Sequence, residues 1–326
     1  MSVGDPLAAR GVAPQVRRLS FHGTGGTLFE IHIVNILLIL LTLGIYYFWA
    51  KVRVRRYLWA QTELLGDRFA FHGTGKELLL GWLKAALVFG LPALGLAVGP
   101  ELAGAGAALQ LLAGLLLYVL IFVFIPVAMV GARRYRLSRT SWRGIRFSFR
   151  GRARDFIRLF VRDTLLTVLS LGLYYPVFEV NRQAFMASHS YFGNRRAGFD
   201  GRGQDLFVPY LFALLLLLPT FGLIWFWYAA RRQRYLWDHT TFEEARFHST
   251  VTGRAVFALR LVNLLLLGLT LGLAWPWVTV RNARFALRYL TLEGALDLEA
   301  IQQEAQLATA TGEGLAGFLD VGFDIG

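Results

Sequence analysis

The chain has no cysteine among its 326 residues, which excludes a disulfide framework, a thiolate zinc site and a cysteine nucleophile. Lysine is nearly absent too. Lys51, Lys76 and Lys84 stand alone, so almost all the positive charge is arginine. Charged residues are 17% of the chain and hydrophobic residues 56%, whereas a soluble protein carries about 25% charged residues. There is no H-E-x-x-H, no G-x-S-x-G and no paired-carboxylate motif, and F-H-G-T-G-K-E (71–77) lacks phosphate-loop spacing. The sequence therefore nominates no enzyme chemistry, no metal and no cofactor. Residues 1–20 hold Arg10, Arg17 and Arg18 without an apolar core and do not form a secretory signal. Residues 1–17 are expected to be a disordered cytoplasmic lead-in.

The remaining composition is basic and apolar, with net charge +13 and a mean hydropathy of +0.48. That pairing fits a membrane protein whose non-membrane face is basic. Nucleic-acid binders rarely carry so much unbroken apolar sequence, so nucleic acid is not an expected partner.

An internal repeat organises the chain. RLSFHG, RFAFHG, RFSFRG and RAGFDG share the pattern x-x-x-Phe-x-Gly, with EARFHS as a looser fifth copy. Phe21, Phe71, Phe149, Phe199 and Phe247 mark it. Gly44, Gly172, Gly222 and Gly272 then fall into register, as do Tyr57, Tyr135, Phe185, Tyr235 and Phe285. The expected fold is mainly α, a polytopic integral membrane protein. Each repeat would be a short β-strand, a Gly-broken apolar helix and a basic interfacial helix, with a small cytoplasmic β-sheet. The repeats run 18–67, 68–145, 146–195, 196–243 and 244–290, followed by an acidic tail at 291–326. His22, His72 and His248 share one repeat position, but Arg150 and Asp200 fill it elsewhere. A polar strand position explains it better than a metal site.

A membrane helix needs about 20 apolar residues to cross a core of about 30 Å. The second repeat supplies two, near Leu78–Val98 and Ala107–Gly131, and the Arg-rich segment that follows is cytoplasmic by the positive-inside rule. The other four repeats have one apolar stretch each. If each crosses once, the homologous strands and basic segments divide between the two sides. If each is a re-entrant hairpin turning at its Gly, all basic segments and strands stay cytoplasmic. The second arrangement is preferred, with the N-terminus cytoplasmic.

Aromatic and basic residues alternate just past each break. Trp49, Lys51, Arg53, Arg55, Arg56, Tyr57 and Trp59 form one such set. Arg133, Arg134 and Tyr135 form the second, and Arg231, Arg232, Arg234, Tyr235 and Trp237 the third. Tyr and Trp favour the membrane boundary and Arg pairs with lipid phosphate, so these residues are candidates for anionic-lipid contact. Polar residues within apolar stretches are costly. Glu30, His32, Asn35, Arg162, Asp163, Glu179 and Asn263 are the intramembrane candidates. Asn35, Asp163 and Asn263 occupy one repeat position, and Ala213 takes it in the fourth repeat.

The motif N-x-L-L-x(3)-T-L-G-I-Y-Y-F-W-A-K-V-R-x-R-R-Y-L-W, followed by F-x-F-x-G-T-G-x-E-L-L, resembles the YjgN-like family of bacterial inner-membrane proteins, a domain of unknown function. The resemblance spans nearly the whole chain and is densest from Phe21 to Leu80. It implies a multi-pass inner-membrane location and no established substrate, cofactor or catalytic residue. It also implies a membrane metallopeptidase as the protein partner to look for. Asn181, Gln183 and Ala184 replace Arg53, Arg55 and Arg56 in the third repeat, which weakens a lipid role there. The resulting expectation is a membrane scaffold or adaptor that engages anionic lipid and a protein partner. The alternative is a transporter or channel lined by the intramembrane polar residues.

Overall fold

The computed structural model describes residues 16–295 and Ile301. Residues 1–15 of the expected lead-in and most of the acidic tail lie outside the described residues. The chain order is β1 (Val16–Phe21), α1 (Gly25–Leu41), α2 (Tyr47–Ala60), β2 (Thr62–Leu64), β3 (Asp67–Phe71) and α3 (Gly75–Ala85). A π-helical turn at Ala86–Gly90 joins α3 to α4 (Leu91–Leu102), and α5 (Ala107–Ser138), β4 (Thr140–Trp142) and β5 (Ile145–Phe149) follow. Then come α6 (Ala153–Leu169), α7 (Tyr175–Ser188), β6 (Ser190–Phe192), β7 (Arg195–Phe199), a 3-10 turn at Gly203–Leu206 and α8 (Phe207–Leu215). The last of the described elements are α9 (Ile224–Asp238), β8 (Thr240–Phe242), β9 (Ala245–Ser249), α10 (Gly253–Leu269), α11 (Trp275–Arg288) and β10 (Leu290–Glu293).

Two-residue turns set the strand pairing. Leu64 faces Asp67 across Leu65-Gly66, and Trp142 faces Ile145 across Arg143-Gly144. Both residues of each turn have positive φ, the conformation that matches the twist of tight hairpins. The strands close into a barrel in the order β1-β10-β9-β8-β7-β6-β5-β4-β3-β2, with every neighbouring pair antiparallel. β1 makes the closure by splitting its length, Val16–Arg18 on β10 and Leu19–Phe21 on β2. Since all the tight turns lie at one end, all five helical arms leave from the other. At the tight-turn end Phe69, Trp142 and Phe192 fill the lumen together with Ile301.

Threonine starts and ends the arms. Thr24, Thr74 and Thr252 cap α1, α3 and α10, each accepting from the amide three residues on. At the far end of α1, Thr42 Oγ1 donates to Leu38 O at 2.7 Å and accepts from Tyr46 N at 2.9 Å. Ser170, Thr220 and Thr270 repeat this stitch. The next two residues turn in left-handed conformations: Leu43-Gly44, Leu171-Gly172, Phe221-Gly222 and Leu271-Gly272. The glycine amide then reaches back five residues, as in Gly44 N to Ile39 O at 2.8 Å. The Thr-Leu-Gly break is thus a helical hairpin whose backbone is bonded internally.

These features correct the expectation of a mainly α polytopic membrane protein with a small sheet. Among the described residues the strands number ten and close into a barrel, and only two helical segments, Gly75–Leu102 and Ala107–Ser138, are long and apolar enough to cross a bilayer. The 17 residues of α1 reach about 25 Å, short of the hydrocarbon core. The assignment also shifts at the edges. Val16 and Arg17 belong to β1 rather than to a lead-in, and Thr291, Leu292 and Glu293 belong to β10 rather than to a tail. In the fifth repeat Ser249, not Phe247, takes the place of Phe71. The amides of His22, His72, Arg150, Asp200 and Thr250 make matching bonds to Gln61, Arg139, His189, His239 and Tyr289. His248 therefore does not share a position with His22. Matching on phenylalanine slides this strand by two residues, a slip that keeps every side chain on its face.

Candidate functional site: polar groups of the helical ring

The arms close into a ring of their own, because α1 packs against both α2 and α11. Side chains of one arm seat on the next. Trp49 covers Gly75, where an added Cβ would lie 2.4 Å from its ring, and Trp277 covers Gly25 in the same way across the seam.

Much of the basic set works inside this ring. Arg56 donates to Gly73 O at 3.3 Å and Arg134 to Gly151 O at 2.7 Å. Tyr57 Oη bridges the backbone N–H and C=O of Thr24, and Tyr235 Oη does the same at Arg202. Tyr135 is buried and donates to Glu77. Trp59 packs on Phe69 and Trp237 on Phe247. Arg55 is buried, and Arg133 reaches Ser190 Oγ at 3.4 Å. Lys51 and Arg234 are partly buried, whereas Trp49, Arg53 and Arg231 face outward, the last with its guanidinium 5.6 Å from the Trp227 ring.

The intramembrane candidates separate into three groups. Asp163 is fully buried and accepts from Arg162 Nε and Asn181 Nδ2, each at 2.7 Å. Asn263 donates to Asn282 Oδ1 at 2.7 Å. Asn35, also buried, has no partner for either amide atom among the described residues, and Val54 stands where α11 carries Asn282. Glu179 joins two arms: both of its oxygens accept from Arg232 Nη1, at 2.8 and 2.9 Å, and Arg182 lies 3.5 Å away. Tyr175, Tyr210 and the buried Tyr228 pack beside it. Glu30 is exposed, and His32 Nδ1 lies 2.9 Å from Leu28 O in its own helix. The three equivalent positions thus do not share one network. Sequence reasoning missed Asn282 and the three tyrosines, and read Asn181 only as the replacement of an arginine, since a single polar or aromatic residue inside a helix does not show which neighbour it meets.

Outside the ring, His72 Nε2 lies 2.7 Å from Ser141 Oγ. Its imidazole pKa is held below the ordinary value by partial burial and by Arg146, Arg56 and Arg139. Arg139 is itself paired with Glu77 at 2.7 Å. Among the described residues no group of three His, Cys, Asp or Glu is placed to hold a metal ion.

A family profile matches residues 16–224 and again residues 206–318. The chain belongs to that family, the bacterial proteins of unknown function DUF898. Among curated relatives of this DUF898 chain, the Inner membrane protein YjgN of Escherichia coli K12 is 37% identical over 152 residues, which is 47% of this chain and 36% of the relative. The protein of the same name from Escherichia coli O157:H7 is 40% identical over 129 residues, 40% of this chain and 30% of the relative. That of Salmonella typhimurium LT2 is 33% identical over 151 residues, 46% of this chain and 36% of the relative. The match spans about a third of the length of these relatives. No solved structure matches.

Proposed function

We propose that this protein is a bacterial inner-membrane scaffold. In this reading α3–α4 and α5 anchor it, the four shorter arms dip into the bilayer from the cytoplasmic side, and the barrel stands in the cytoplasm. The tips carry the argument. Leu43, Leu171, Phe221 and Leu271 are 95%, 92%, 96% and 94% exposed, and all four hold left-handed backbone, which costs a residue with a Cβ roughly 1–2 kcal/mol. Water gives no reason to place a bare Leu or Phe there. Hydrocarbon does, and it also demands the internal backbone bonding that each tip has. Arginines such as Arg53 and Arg231 then lie where anionic headgroups begin, and the tight-turn end of the barrel is left for a protein partner. The names of the relatives support the location.

A transporter needs convergent polar groups along one path. Asp163 and Asn263 instead bond within their own arms, and aromatic side chains with Ile301 fill the barrel's tight-turn end, which favours the scaffold. The test uses the absence of cysteine. Single Cys residues at Leu43, Leu171, Phe221 and Leu271 carry a polarity-sensitive fluorophore in reconstituted vesicles. Quenching by lipids brominated on their acyl chains is expected at all four sites. Quenching by aqueous iodide alone would remove the reading.

A further inference from the structure

The strand-to-helix turns all lie at the arm end of the barrel, the level at which the scaffold reading places lipid headgroups. One of these turns borders a cleft of about 370 Å³, lined by Arg56 and Ala60 of α2 and by Phe69, Ala70, Phe71 and His72 at the end of β3. Its volume falls within the range of small-ligand sites. Its floor is apolar and its two polar side chains, Arg56 and His72, are both exposed. Arg56 is steadied by its bond to Gly73 O and His72 by Ser141 Oγ.

We infer that this cleft binds a phosphate ester, with Arg56 and His72 holding the phosphate and the apolar floor taking the carbon skeleton beside it. Arginine suits this task because its planar fork presents paired donors to phosphate oxygens. The surrounding charge agrees. The charged groups acting on His72 are Arg146 of β5, Arg56, and Arg139 at the end of α5. The nearby carboxylate, Glu77 of α3, is already engaged by Arg139 and Tyr135. The same pairing of a helix arginine with a basic residue at the strand end recurs at Arg134 with Arg150 and at Arg284 with His22. There the basic residues have other company: Arg150 lies over the Tyr191 ring and His22 lies 3.2 Å from Glu63. At the fourth turn Ala184 and Asp200 break the pattern. Of these, the Arg56–His72 turn is the one bordering the cleft.

The phosphate ester has two possible sources, a phosphatidylglycerol headgroup or a soluble phosphate, and two arms separate them. In the first, the full chain enters phosphatidylcholine nanodiscs with and without phosphatidylglycerol. In the second, inorganic phosphate is titrated into the chain in detergent micelles. The readout in both is the imidazole signal of His72, which a bound phosphate moves toward the protonated form. A shift in the first arm alone assigns the lipid. A shift in the second assigns soluble phosphate, and either supports the cleft. Arg56→Gln is expected to weaken the response about tenfold, while Arg68→Gln, exposed at the far end of β3 and outside the cleft, leaves it unchanged. No shift in either arm, or equal losses in Arg68→Gln and Arg56→Gln, overturns the proposal. The inference rests on the scaffold reading only for its lipid arm. A chain that fails to enter nanodiscs sinks that reading, and the micelle arm still decides the cleft.

Discussion

Arg284 Nη2 donates to Gly23 O at 3.0 Å, joining α11 to the turn before α1 across 261 residues of sequence. Arg56 makes the equivalent bond to Gly73 across 17 residues. The side chain that links neighbouring arms inside the chain also locks the seam between the fifth arm and the first. Replacing Arg284 by Ala should cost about 1 kcal/mol and should make the seam the first part to open. Hydrogen exchange on the β1 and β10 amides in detergent is the measurement. Unchanged protection of both strands would show that the bond is incidental.

The glycine under Trp49 makes a second prediction. A Cβ on Gly75 would meet the Trp49 side chain at 2.4 Å and its Cα at 2.8 Å, whereas one on Gly26 would meet nothing within 4 Å. Gly75→Ala should therefore destabilise by about 2 kcal/mol. Gly26→Ala should be neutral or stabilising by up to about 1 kcal/mol. Thermal unfolding of the two variants decides it, and equal midpoints would refute the close contact.

Glu179 and Arg232 make a third. The Glu179 side chain is 5% exposed and that of Arg232 33%. Glu179→Gln leaves a half-buried guanidinium without its counter-charge and should cost about 3 kcal/mol. Glu179→Leu combined with Arg232→Met removes both charges and should recover most of that loss. If the double variant is as unstable as the single one, the pair is not a unit.

The imidazole of His72 gives a pH dependence in phosphate-free buffer. Because its pKa in the folded protein lies below the ordinary value of 6.5, the unfolded chain takes up the proton first as the pH falls. The contribution is fully present above about pH 6.5 and declines below it as the pH approaches the folded value. His72→Gln should flatten the acid limb of the stability profile. The variant and the parent losing stability in parallel below that pH would assign the slope to other groups.

The sequence revealed the arms more readily than the barrel, for physical reasons. The breaks at Thr42-Leu43-Gly44 and its counterparts were readable because a Gly after an apolar run has few alternatives. The longer strand of each hairpin was readable because Phe69 and Phe71 alternate. Its three-residue partner, such as Thr62–Leu64, is too short to show a period and follows directly on a helix. β10 buries Leu290 and Leu292 but has no phenylalanine and runs on into acidic sequence, so nothing in its pattern marks the closure. Arginines at the interface were readable as a cluster, but the reach of Arg56 to Gly73 was not. Asn181 stands where the first repeat has Arg53, and the sequence does not mark it as the partner of Asp163.

Closure of the barrel also limits how such a chain can change its length. The second arm is extended, with Phe71 and Phe149 lying 78 residues apart where Phe149 and Phe199 lie 50 apart. The extra residues go into α3–α5 and leave β3, β4 and β5 in register. An insertion at an arm tip is therefore absorbed locally. Duplicating a whole arm is different. It would bring two more strands and force every strand to a new tilt and every inward side chain to a new neighbour. Natural length variation should accordingly collect at the tips, while the number of arms stays at five.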